Sequence, residues 1–197
     1  MADPTKSYLY GVRQIRLVNL TPTGATDPSA TSYDITNPQS VGYSFIYIDG
    51  EEQVQRGGDD ICAMINEDDK FVGVNFDVVL AALMPEVDET ICGGVATPGA
   101  SAKWTSPISD AEEAYPFSMI IWVANYTESD RGSVQDGFIM FTLPFCKGKR
   151  STDTNADKVF GKPAYSIEAR NNESDIETPT VLPAISYEKV ETIVPLE

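Results

Sequence analysis

Apolar side chains recur at every second position along much of this chain, and a period of two predicts strands. In residues 71–80 the even positions Val72, Val74, Phe76, Val78 and Leu80 are apolar, while Gly73, Asn75 and Asp77 lie between them. Such alternation marks a strand with one buried and one wet face. Residues 164–170 repeat it, with Tyr165, Ile167 and Ala169 set against Ser166, Glu168 and Arg170. Residues 43–48, 117–124 and 138–145 are apolar on both faces. They are expected either at the centre of a sandwich or under the cover of another subunit. The last two flank NYTESDRGSVQDG, whose Asp-Arg-Gly and Asp-Gly turn signals predict a hairpin with a projecting loop over 125–136. Strands are also expected near 12–20 and 185–193.

Helical signals are few. Residues 81–92 hold Pro85 followed by Glu86 and Asp88 and end at Gly93-Gly94. Proline in a first turn, acids beside it and glycine past the end predict one short helix. Loops rich in Pro, Gly, Ser, Thr and Asp are expected at 21–40, 96–116 and 150–163. There is no internal repeat, and 197 residues suit a single domain over 1–197. The fold class is therefore mainly β, with one short flanking helix packed on a sheet or barrel and long loops between strands.

Composition narrows the picture. With 42% hydrophobic and 10% aromatic residues the chain can bury a core. No stretch reaches the roughly 18 apolar residues of a membrane-spanning helix, and the N-terminus lacks a basic flank leading into an apolar segment. No membrane association and folding in a cytoplasm are expected. Cys62, Cys92 and Cys146 are widely spaced among apolar neighbours and are read as buried free thiols. Three glycosylation triplets, beginning at Asn19, Asn125 and Asn172, are discounted as chance matches. A net charge of −16 opposes tight binding of DNA, which needs clustered cations, but lets a polyanion pass without sticking.

The chemistry of catalysis is missing. Histidine is absent, which removes the usual nucleophile–base arrangements and the commonest metal ligand. Asp59-Asp60 and the run Glu67, Asp68, Asp69 lie in a loop-like stretch with neither the spacing of a glycosidase pair nor the glycine and terminal glutamate of a calcium loop. Gly57-Gly58 and Gly93-Gly94 belong to no phosphate-binding motif. Neither an enzyme nor a bound cofactor or metal is expected.

Charge placement remains. Residues 49–69 carry Asp49, Glu51, Glu52, Asp59, Asp60, Glu67, Asp68 and Asp69 against one base, Arg56, whereas 146–150 carry Lys147, Lys149 and Arg150. Opposite patches on one chain suit head-to-tail self-association into rings or filaments. They equally suit two solvated loops whose charges contribute little. The cations follow a strand without interleaved exposed aromatics, so they do not make a nucleic-acid site; docking on the acidic stretch of an adjacent subunit is expected instead.

The order of pieces resembles the major tail tube proteins of long-tailed bacteriophages. The likeness runs over residues 8–175: VQRGG at 54–58, the alternating strand 71–80, LMPEV at 83–87 leading to Gly93-Gly94, FSMIIW at 117–122 with FIMFTLPF at 138–145, and AYSIEAR at 164–170. The resemblance implies a β-sandwich or barrel-like fold with one flanking helix, homo-hexameric rings, and stacking of rings into a hollow tube. DNA passes through such a tube without specific binding. The implied partners are other copies of the chain, a tape measure protein, a tail terminator and a distal tail protein, and the implied place is the virion tail, after synthesis in the bacterial host cytoplasm. Asn75 and Asp77 would face the lumen, and loops 49–70, 125–136 and 146–163 would reach neighbouring subunits. Another tail or baseplate component would share these features. A monomeric binding or adhesion sandwich is the competing class, with Trp104, Trp122 and Tyr126 as candidates for an aromatic platform.

Overall fold

The computed structural model describes residues 8–21, 31–36, 38–50, 52–57, 60–66, 68–99, 101–109, 113–129, 132–151, 154–156, 159–174 and 180–193. For 52–57, 60–66, 128–129, 132–133, 154–156, 159–160, 172–174 and 180–182 it describes the backbone alone. The strands are β1 (Tyr8–Asn19), β2 (Ser32–Ile35), β3 (Pro38–Ile48), β4 (Glu52–Gly57), β5 (Asp60–Asn66) and β6 (Lys70–Leu80). Helix α1 (Pro85–Cys92) follows, then β7 (Val95–Thr97), β8 (Lys103–Thr105), β9 (Phe117–Ser129) and β10 (Gly132–Arg150). The chain continues through β11 (Thr154–Ala156), β12 (Val159–Lys162), β13 (Ala164–Arg170), β14 (Asn172–Ser174), β15 (Thr180–Leu182) and β16 (Ser186–Val190).

The main sheet is antiparallel, ordered β2-β1-β9-β10-β13-β6-β3, with β16 also paired to β10. Its long strand β10 makes the corner. Residues 132–146 of β10 pair with β9, whereas 146–150 pair with β13. The register against β9 slips between Leu143 and Cys146, where Pro144 sits. Proline cannot donate to a ladder and is tolerated at bulges, and strands that change sheets do so at such bends. The result is two half-sheets facing each other in a β-sandwich-like fold. One contributes Ile15, Leu17, Phe117, Met119, Ile121 and Leu143 to the core; the other contributes Val74, Phe76, Val78, Tyr165, Ile167 and Ala169.

The alternation in 71–80 and 164–170 reports the faces correctly. Val74, Phe76, Val78 and Leu80 are buried with Tyr165, Ile167 and Ala169, while Asp77 is exposed and Asn75 half-exposed. The helix also forms where its signals lie. Pro85 is in its first turn with Glu86 and Asp88, and the Gly93 N–H donates to the Glu89 carbonyl at 2.8 Å. Val87 and Ile91 seat the helix on the core. The helix comes so close to β10 that a Cβ on Gly148 would lie 2.5 Å from Cγ2 of Ile91, inside any permitted contact.

Several expectations are corrected. The described part of 125–136 is strand: β9 runs to Ser129 and β10 begins at Gly132, with Tyr126 opposite Gln135 and Ser129 opposite Gly132. Polar side chains on both faces hid these strands, whose conformation is set by backbone pairing with each other. Residues 49–70 likewise contain the β4–β5 hairpin, and the proposed loops 21–40, 96–116 and 150–163 hold the short strands β2, β8, β11 and β12 together with parts of β3 and β7. Of the two placements expected for residues 43–48, the central one does not hold, because β3 is the last strand of the main sheet among the described residues. Residues 117–124 and 138–145 are central, and the predicted hairpin forms.

Candidate assembly surface

Period-two geometry divides the cationic run. In the ladder, Lys147 stands opposite Glu168 and Glu168 opposite Asn75; Lys149 stands opposite Ser166 and Ser166 opposite Asp77. Directly opposed residues share a face of a sheet. Lys147, Lys149, Asn75 and Asp77 therefore lie on one polar face, the side of this half-sheet turned away from the core. Lys147, Lys149 and Asn75 border a groove of about 610 Å³ that Phe145 and Arg170 also line. Arg170 pairs with Glu168 there. Lys147 and Lys149 are exposed and make no ion pair among the described residues.

Arg150 projects from the opposite face. Its Nη1 donates to Oδ1 of Asp88 at 3.4 Å, and the Tyr165 hydroxyl donates to the same oxygen at 2.9 Å. The guanidinium lies 5.9 Å from the centre of the Trp104 ring, whose Nε1 donates to the Gly93 carbonyl at 2.8 Å. Asp88 is only 2% exposed, so this cluster of partners is what lets a carboxylate sit between helix and sheet. Burial, then the neighbouring Asp88, pushes the Tyr165 hydroxyl pKa well up; burial first and Asp88 second push the Cys92 thiol up to about 11. Of the three cations, two face outward and one closes the helix onto the sandwich.

The acidic stretch is described in part. Asp49, Asp68 and Asp69 are exposed, and Asp69 accepts the Gly50 N–H at 3.0 Å. The side chains of Asp59, Asp60 and Glu67 lie outside the described residues, as does that of Cys62. Cys92 and Cys146 are free thiols, the second fully buried. Asn125 is buried and its Nδ2, the atom a glycan would occupy, donates to the Asp136 carbonyl at 3.1 Å.

The surface that periodicity missed is aromatic. Along β3 and the start of β6, Tyr43, Phe45, Tyr47 and Phe71 are 52%, 51%, 55% and 39% exposed. Their rings meet at 5.7 to 6.0 Å between centroids, edge to face. Apolarity on both faces of 43–48 was the available signal, and exposure at a sheet edge is how the fold uses it. The aromatics considered for a binding platform do not form one: Trp122 is buried under the Arg16 guanidinium, which is itself paired with Asp34 at 2.7 Å. Trp104 is tied to the helix end, and Tyr126 packs edge-on against Tyr10. No family model matches the chain, and a comparison with curated proteins returns no match.

Proposed function

We propose that this chain is a structural subunit that assembles with copies of itself, in the manner of a phage tail tube: hexameric rings, stacked into a hollow conduit for DNA. The observation that carries the proposal is β3, an eleven-residue strand at the edge of the main sheet, without a partner on its outer side among the described residues and with a row of exposed aromatics. Long, apolar, unguarded edges invite pairing with another chain, and proteins that stay monomeric blunt or cover them. The far edge, β2, is only four residues long. A polar face carrying Lys147, Lys149, Asn75 and Asp77 is then free for a lumen wall or for the acidic stretch of a neighbour. The subunit acts structurally and not as a catalyst, is made in the bacterial host cytoplasm and resides in the virion tail, and takes a tape measure protein, a tail terminator and a distal tail protein as partners.

The aromatic row also favours a second reading, a monomeric binding module using Tyr43, Phe45, Tyr47 and Phe71 as its platform. Negative-stain electron microscopy across a concentration series, with light scattering after size exclusion, separates the two. Rings or tubes are expected. A protein that stays monomeric at every concentration, with or without a tail-tip partner, supports the binding module and overturns the proposal.

A further inference from the structure

The sandwich is hollow at one place. β1 and β3 approach each other without pairing, bringing Cα atoms within 8 Å. Beneath this seam lies a cavity of about 350 Å³. Its floor and walls are Phe76, Ile121, Val12, Val41, Val123 and Phe141, the first two only 2% exposed. Tyr43 forms one side, its ring centroid 5.7 Å from Phe76 and 6.4 Å from Phe141. Gln39, Ser40 and the Tyr43 hydroxyl add uncharged hydrogen-bonding groups. Among the described residues, no charged side chain lines the cavity.

We propose that this cavity is a binding site for a small, neutral, elongated apolar molecule bearing one hydrogen-bonding group, chemically of the class of a medium-chain alcohol. Its size falls in the roughly 300–1,000 Å³ range of small-molecule sites, and its pattern, an apolar body with a few polar groups at the mouth, is theirs too. Water in such a hollow has few partners and is readily displaced by an apolar group. A carboxylate or ammonium would lose its hydration there with no counter-charge among the described lining residues. The seam is also too narrow for a peptide: a strand seated between β1 and β3 needs about 4.8 Å to each side, nearly 10 Å in all.

The test is fluorescence titration of the full chain with N-phenyl-1-naphthylamine, at a concentration where light scattering shows a single species. Saturable one-to-one binding is expected, displaced by 1-decanol at least tenfold more effectively than by decanoate. Val41→Trp fills the cavity and is expected to weaken binding at least tenfold. Ser40→Trp, at an exposed rim position that leaves the core intact, is expected to do the same if Val41→Trp fails to fold. Absence of saturable binding overturns the proposal. So does binding that survives in a folded variant, because the probe is then held by the exposed aromatics of β3. Binding that falls as the protein concentration rises from dilute subunit also overturns it, because a second copy then fills the hollow.

Discussion

Asp88 shows how one residue ties sequence to fold. It stands in the first turn of α1, where a carboxylate interacts favourably with the helix dipole, and it accepts from both Tyr165 and Arg150. Arg150→Ala removes one of the donors that offset the burial of that carboxylate. The expected loss is about 2 kcal/mol, less than for a fully buried pair because the Arg150 side chain is 25% exposed. Urea denaturation at pH 7 measures it. The same neighbourhood sets an alkaline limit. Burial raises the thiol pKa of Cys92 from 9.0 to about 11, and it raises Cys146 and the Tyr165 hydroxyl as well. The unfolded chain therefore loses these protons first as pH rises. Stability is expected to be level between about pH 6 and pH 8, to fall from about pH 9, and to keep falling beyond pH 11, read as melting temperature across a pH series. A flat profile through pH 11 would show that these thiols and the phenol are not buried as described.

At the scale of elements, the contact between α1 and β10 is decided by a missing side chain. A Cβ at Gly148 would meet Ile91 at 2.5 Å and Ile167 at 3.2 Å, both β-branched and packed. Gly148→Ala is expected to cost about 1–3 kcal/mol by overpacking. Adding Ile91→Ala should return part of that loss, so a double-mutant cycle with positive coupling checks the contact; strict additivity would place the helix elsewhere. Strands with one dry and one wet face, such as β6 and β13, were legible in the sequence because burial imposes their period. The ends of β9 and β10 were not, because Tyr126, Thr127, Val134 and Gln135 form strands through pairing with each other. Nothing in their own polarity marks the conformation. The helix was legible because proline and glycine act locally.

For the whole molecule, the prediction concerns edges and faces. Phe45→Lys places a charge on the exposed edge strand, a device by which edges are kept from pairing. It is expected to abolish rings and tubes while leaving the melting temperature within a few degrees. Assembly at the wild-type rate in that variant would remove β3 from the interface. Changing Lys147 and Lys149 together to Glu tests the polar face separately. If these cations meet a neighbour's acids, assembly slows and loses its dependence on salt, since screening acts on exposed charges. Unchanged kinetics would leave the two lysines on a lumen wall or open surface. Arg150 is left out of that variant because its loss would act through Asp88 and the fold.

The chain's own pattern determined its mainly β class, the buried faces of β6 and β13, the site of its helix and its lack of histidine chemistry, because each follows from local periodicity, backbone preference or composition. A period of two along 147–150 likewise places Lys147 and Lys149 on a face that Arg150 does not share. Tertiary structure alone decided that 43–48 is an edge and not a centre, since apolarity on both faces is the same whether another strand or another molecule supplies the cover. It alone opened the cavity under the β1–β3 seam, which exists because two strands that are not consecutive in sequence approach without pairing. Non-local distances of that kind leave no periodic trace in the residues that create them.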